Sequence, residues 1–528
     1  MTVSEPSADQ SLLPEPRQIP QQRKRRVEFP GAVTTLAIVT ILVWAAALVI
    51  PAGTYQTGPD GALIPGTYHR VPSPLSFADK LQQLILSPVN GLYGLRNPTT
   101  GFVDTQTAGS MFGSVGVVLF IMSIGAFISV SFATRSLEVA IAGVAAKLQT
   151  RGWLLIAAIM TLLSLLGTTM GFSVETLGFY ALFIPLMSAL GYDRLVTAAM
   201  IIIGALTGVM AATVNPFSIG VAAGESGVSI GDGILLRVGL WVLLTAISVA
   251  YVLRYAATVR RDPSRSLVGF EQPAEPMSGS TTADLPHTLS ATHKWVLGIT
   301  AAAFALMIFS VIPWSSIFRA STGGAEDYYT HQTHTAPYWF ELNWWFPQLA
   351  MLFVLASVIV GVVARMGEKE TVRLICQGAA DMIGPAIVIM LAAGVSAIMT
   401  NTQTLDTILN SMEHLTSGAP ASVFAVLTMA VNIPLAILIP SSSGHATLAM
   451  PLLSPLADFA GVSRPLTITA WISGHGLALM FAPTSVVLVG GLAIAKVGYD
   501  KYLRFAWPLL LTLFATAATV LALAANLE

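Results

Sequence analysis

The sequence predicts an all-α, polytopic membrane protein built as two similar halves, and three observations carry that reading. The 528 residues are 54% hydrophobic and only 10% charged, with a mean hydropathy of +0.72, a composition foreign to water-soluble domains. Apolar runs near or above the roughly 18 residues needed to cross a bilayer recur along the whole chain. They lie at 32–50, 111–132, 195–214, 234–253, 295–314, 345–364, 382–399, 421–439 and 505–525. Landmarks of the first half also return in the second: "GYDR" at 191–194 and "GVSR" at 461–464 set an offset of 270, which pairs Pro185 with Pro455 and Asn215 with Ser485.

The N-terminal residues 1–28 are polar and read as a cytoplasmic tail ending in "RKRR". The first apolar run is too long for a cleavable leader and reads as a retained anchor. It opens a segment, 29–110, that holds the first transmembrane helix and an outer amphipathic stretch, "LSFADKLQQLIL". The basic runs at 23–26, 254–265 and 364–373 belong on the cytoplasmic side. The N-terminus is therefore expected in the cytoplasm and the chain in the inner membrane. Stretches poor in Lys and Arg, about 52–110 and 316–344, face outward, the second ending in the aromatic cluster "YWFELNWWF".

The first repeat spans 111–257, with a hairpin at 153–190 and a broken helix at 195–224. A Pro/Ser/Thr-rich cytoplasmic linker at 258–293 separates it from a transmembrane helix and outer loop at 294–344. The second repeat, 345–528, holds a hairpin at 421–459, a broken helix at 466–495 and a C-terminal helix at 505–525. A net charge of −1 argues against a nucleic-acid partner. The lone Cys376 can form no internal disulfide.

The breaks point to function. A proline inside a helix removes a hydrogen bond and clashes with the preceding turn, costing about 3 kcal/mol, yet Asn215-Pro216 sits inside one apolar run and Pro483-Thr484-Ser485 inside another. Unsatisfied backbone in a bilayer is tolerated only where protein or a cavity satisfies it, and matched interruptions in two halves mark the central site of a transporter. Both hairpins turn at small polar residues: Gly167, Thr168, Thr169, Gly171 and Ser173 in one, Pro440, Ser441, Ser442, Ser443 and Gly444 in the other. Hydroxyls there either cap the turn or ligate. Glu175 stands out as an acid in apolar surroundings, and His445 and His475 as titratable groups.

The stretches "GTTMGFSVETLGFYALFIPLM", "VNPFSIGVAAGESGVSIGDGILLR", "SSSGHATLAMPLLSPLADFAGVSR" and "APTSVVLVGGLAIA" resemble the YfcC-type carriers of the DcuC (C4-dicarboxylate anaerobic carrier) group, within the ion transporter superfamily. The likeness runs from about 111 to 510. It implies two inverted repeats, each with a re-entrant hairpin and an unwound helix, an elevator-like homodimer, and small carboxylates or amino acids moved with sodium or protons. Carried over position by position, it implies a site of Thr168, Thr169, Ser173 and Glu175, then Asn215 and Pro216, then Ser441, Ser442, Ser443, Gly444 and His445, and finally Pro483, Thr484 and Ser485. Gly474 and His475 join that set as a departure: the family often reads Gly-Asp-Gly where this chain has Gly474-His475-Gly476, and often has a second acid where it has Val174.

Those losses put a basic amino-acid substrate in doubt and favour a neutral or anionic one. The reading is a non-enzymatic secondary active carrier of a small organic acid or amino acid across the bilayer, working by alternating access as symporter or exchanger. No cofactor or resident metal is expected beyond a coupling ion, either sodium at Asn215 and Ser485 or a proton on Glu175. Two other classes remain open: a passive channel, although no filter-like repeat stands out, and an intramembrane hydrolase using Ser443 with His475, although the leading glycine of such a tip is missing.

Overall fold

The computed structural model describes residues 32–528 except 57–62, 98–99, 107, 109, 112–113, 149–150, 270–287, 313, 315–317, 319–324, 327–332, 335–337, 339, 343 and 417–419. The polar tail, half of the linker and much of the loop at 316–344 thus lie outside the described residues. Among those described, the chain is nearly all helix, with short two-residue strand pairings in the loops at 53–111 and between 325–326 and 333–334. Among the described residues eight helical stretches are long and apolar enough to cross a membrane: 115–133, 152–170, 234–261, 291–311, 346–363, 368–401, 421–438 and 499–527. The apolar run at 195–214 is different. Its helix, Arg194–Met210, spans 17 residues and is buried on all sides but its first turn, so it is wrapped by protein rather than lipid.

Local sequence sets the order of elements in both halves. Gly152–Met170 runs to a tip, and Tyr180–Ala189 returns from it. Then Arg194–Met210 begins, stops, and restarts at Pro216. In the second half Ala421–Leu438 and Ser442–Phe459 form the hairpin, and Arg464–Leu479 is followed by Val486–Ala495. The turn before each broken helix is the same at the offset of 270. Gly191 and Gly461 take φ of 80° and 65°, a left-handed conformation that glycine adopts without strain. Two residues on, Asp193 and Ser463 cap the helix by accepting the amides of Val196 and Leu466.

Hairpin and broken helix cross closely because glycine removes the side chain between them. A Cβ on Gly208 would overlap the Ser164 carbonyl, and one on Gly474 would overlap Met429 backbone. Helix Ile234–Arg261 seals the first pair with buried hydroxyl contacts, Ser164 to Thr245 at 2.8 Å and Thr207 to Ser248 at 3.0 Å. Asp193 anchors the start of its helix by also accepting Tyr255 Oη at 2.8 Å and Ser266 Oγ at 2.6 Å. Around this centre stand two further packed groups. Helix Ile383–Asn401 lies on Phe77–Tyr93 through Gly394 and Gly91, and helix Val115–Ala133 lies on Glu368–Asp381 through Gly125 and Gly378. Phe120, Phe127, Phe304, Phe346 and Phe353 fill the space beside the second group.

Two glycine substitutions separate packing from helix propensity. Gly208→Ala is expected to cost about 1–3 kcal/mol, by overpacking against Ser164, and to lower the thermal midpoint. At Gly239, on the same kind of helix but with nothing near its missing Cβ, alanine is expected to leave the midpoint level or raise it, by at most about 1 kcal/mol. Thermal unfolding in one detergent measures both.

Candidate functional site

The first break frees backbone groups, and the first hairpin takes them up. After Met210 the helix stops, and Asn215 restarts it: its Oδ1 accepts the Phe217 amide at 3.0 Å and Pro216 fills the first turn. Proline costs nothing there, because that amide has no helical acceptor. The tip reaches across with Thr168, whose Oγ1 donates to the Ala211 carbonyl at 2.6 Å and accepts the Thr213 amide at 3.0 Å. Gly171, left-handed at φ 72°, lies so near Asn215 that a Cβ would touch its side-chain amide.

The second half reaches the same end with the roles exchanged. Here the break supplies the hydroxyl: Thr484 Oγ1 donates to Ile437 O, near the hairpin tip, at 2.7 Å. Ser485 caps the restart by accepting the Leu488 amide at 3.4 Å. The carbonyls freed at Met480 and Phe481 accept Tyr502 Oη, at 3.1 Å, and Tyr499 Oη. At the tip Ser441 caps helix 442–459 through the Gly444 amide, its Oγ 3.3 Å from that of Ser443.

The halves then interlock. Ser442 Oγ donates to Phe217 O in the first break at 3.4 Å. Ser454 Oγ meets Ser226 Oγ at 2.9 Å, and Arg464, ion-paired with Asp458 at 2.6 Å, donates to Ser226 O. The two broken helices touch where a Cβ on Gly476 would overlap Met210, and the second restart packs Gly491 against Tyr180 of the first hairpin.

Beside that crossing lies a buried ring cluster. His445 Nδ1 and His475 Nδ1 are 2.9 Å apart. Trp471, one turn before His475 on the same helix, stacks on it at 5.7 Å between centroids and meets His445 edge-on at 5.5 Å. All three side chains are at most 1% exposed, and among the described residues His445 Nε2, His475 Nε2 and Trp471 Nε1 have no hydrogen-bond partner. Ser218 Oγ in the first break and Asn432 Oδ1 in the second hairpin are buried and unpartnered as well. Buried polar groups are nearly always paired, so the three unpartnered ring nitrogens of one cluster stand out.

Not every residue singled out from the sequence joins it. Thr169 is half-buried and donates to its own helix at Leu165 O, 2.7 Å away. Glu175 is exposed rather than an acid enclosed among helices. It accepts the Ser173 amide at 3.0 Å and lines a surface cleft with Arg135, Glu138 and Phe172, which spares the carboxylate the cost of burial. Pro483 is exposed at the far side of its break. Gly474 is taken up by the crossing with Met429 and Gly444 by the approach of Val388, so each acts by having no side chain. Conversely, Thr213, Ser218, Tyr499, Tyr502 and Trp471 were not read from the sequence. Trp471 carried one legible signal, its place four residues before His475, on the same helical face.

A family model for DcuC, the C4-dicarboxylate anaerobic carriers, matches residues 29–526. The chain belongs to the DcuC family. It is 28% identical over 519 residues to an uncharacterized protein of Haemophilus influenzae, covering 93% of this chain and 95% of that one. It is 26% identical over 520 residues, 94% and 96% of the two chains, to an Escherichia coli protein named "Putative basic amino acid antiporter YfcC". Among solved structures the fold is similar to the YdaH transporter of Alcanivorax borkumensis, at a TM-score of 0.65 and 16% identity over 94% of this chain and 98% of that one. It is also similar to MtrF of Neisseria gonorrhoeae, at 0.63 and 15% over 94% and 95%. This DcuC-family chain is a multi-pass membrane transporter, not an enzyme, which closes the hydrolase reading of Ser443 with His475.

The two hydroxyl bridges are expected to carry the geometry of the breaks. Thr168→Val leaves the buried Ala211 carbonyl and Thr213 amide without that partner and is expected to cost about 1–3 kcal/mol. Thr484→Val strands a single carbonyl and should cost less. Thermal midpoints and reconstituted transport rates for both variants check the order.

Proposed function

We propose that this protein is a secondary active carrier of a small carboxylate-bearing solute, working by alternating access and driven by an ion gradient or by exchange. One observation supports this most: both hairpin tips and both helix breaks are tied to one another by Thr168, Thr484, Ser442 and the Gly476 crossing, and beside them lie buried polar groups with no partner among the described residues. Half-helix amides and tip hydroxyls are donors suited to an anionic group. The buried polar side chains at the tips and breaks, Thr168, Asn215, Ser218, Ser443, His445, His475 and Ser485, include no carboxylate, which favours an anionic or zwitterionic solute over a basic one.

The carrier acts in the inner membrane as a homodimer of inverted repeats with its N-terminus in the cytoplasm. The basic runs at 23–26, 254–265 and 364–373 support the orientation, and the family resemblance supports the assembly. Sodium is the weaker candidate for coupling, since Asn215 Oδ1 and Ser485 Oγ each already accept a backbone amide.

Uptake of labelled succinate, aspartate and arginine into proteoliposomes tests this. The expected outcome is saturable, gradient-driven accumulation of a carboxylate, with succinate or aspartate preferred to arginine. Asn215→Ala should lower the rate about tenfold, as loss of a buried hydrogen bond of roughly 1.4 kcal/mol implies. Non-saturable equilibration would make the protein a channel, and preference for arginine would overturn the assignment of charge.

A further inference from the structure

We propose that His445 and His475 act as one unit that takes up a proton together with a carboxylate of the transported solute. The inference rests on the carrier reading above and adds to it the coupling ion and the group that the solute must present.

The geometry restricts where protons can be. Two ring nitrogens 2.9 Å apart form a hydrogen bond only if one carries the proton and the other offers its lone pair. A neutral pair then holds two ring protons, one between the Nδ1 atoms and one on the Nε2 of the accepting ring. The other Nε2 is bare. The pair therefore shows one donor and one acceptor to its surroundings, a poor match for a carboxylate, which only accepts. One added proton goes to the bare Nε2 and leaves the Nδ1 bond intact. Both Nε2 atoms are now donors and the pair carries one positive charge, the complement of a carboxylate. Neither Nε2 has a partner among the described residues, and the stacked Trp471 contributes a third buried ring nitrogen, a donor only, in the same condition.

The surroundings make the two events depend on each other. Helices 32–49, 383–401 and 421–438 contain no titratable residue, and helix 194–210 has only Arg194, at its start. Glu225, in the segment after the first break, accepts Ser114 Oγ at 2.8 Å. Asp458 and Arg464 are paired with each other, Asp406 accepts the Tyr55 amide, and Tyr499 and Tyr502 donate to carbonyls of the second break. Among the described residues no acid or base other than its partner histidine forms a hydrogen bond or ion pair with either ring. No standing counter-ion serves the pair, so a buried cation there needs the anion, and the buried anion needs the cation. Proton and carboxylate consequently cross together, with no requirement for sodium.

Calorimetric titration of the purified full-length protein with succinate, aspartate and acetate, in two buffers of different ionisation enthalpy, counts protons taken up on binding. The expected result is one proton per carboxylate bound, without dependence on sodium, and an affinity that falls about tenfold per pH unit once the free pair is neutral. In His475→Gln and His445→Gln the proton uptake and the pH dependence should disappear together. Since either variant could unfold, the wild-type proton count decides alone. Binding without proton uptake, or binding that needs sodium and ignores pH, overturns the inference and leaves the carrier reading intact. If no carboxylate binds and none is transported into proteoliposomes, the carrier reading itself fails.

Discussion

The structure depends on one constraint: backbone freed in the buried centre of the bundle must find partners inside the protein. Each break leaves carbonyls and amides that water or a continuous helix would otherwise satisfy. In the first half Thr168 serves a carbonyl and an amide at once. In the second, Tyr499 and Tyr502 cover the carbonyls of Phe481 and Met480 while Thr484 ties the break to its own hairpin. The glycines follow from this requirement. Hydroxyl bridges of this length form only where helices approach closely, and Gly208, Gly474 and Gly476 permit that approach.

With the backbone satisfied, the polar groups left over acquire meaning. The unpaired nitrogens of His445, His475 and Trp471 are not broken helix ends but side chains held rigidly by packing. Gly474 and Gly476 flank His475 and fix the helix on both sides of it, one against Met429 and the other against Met210. Packing of this kind preorganises the three rings, and the contact of Gly476 with Met210 brings the first half against their helix.

Much of the fold was legible in the sequence because its signals are chemical and local. Pro216 and Pro483 forbid continuous helix, long apolar runs require a bilayer, and the repeated turn at Gly191 and Gly461 gives away the internal likeness. The site was less legible because helical phase, not residue type, decides what a side chain faces. Thr168 and Thr169 are adjacent and identical, yet one bridges the break and the other bonds back along its own helix. Glu175 looked like the charged centre of the site but stays exposed beside Arg135, where burial does not penalise it. Trp471 passed for one more apolar residue until His445 was brought against it from another helix.

The most direct test of this account is to locate a bound solute. Crystals of the protein soaked with bromosuccinate would show the bromine by its anomalous scattering. A peak beside His445 and His475, bounded by Asn215 and Ser443, is the predicted result. A peak in the cleft between Arg135 and Glu175, with the histidine pair untouched, would contradict it.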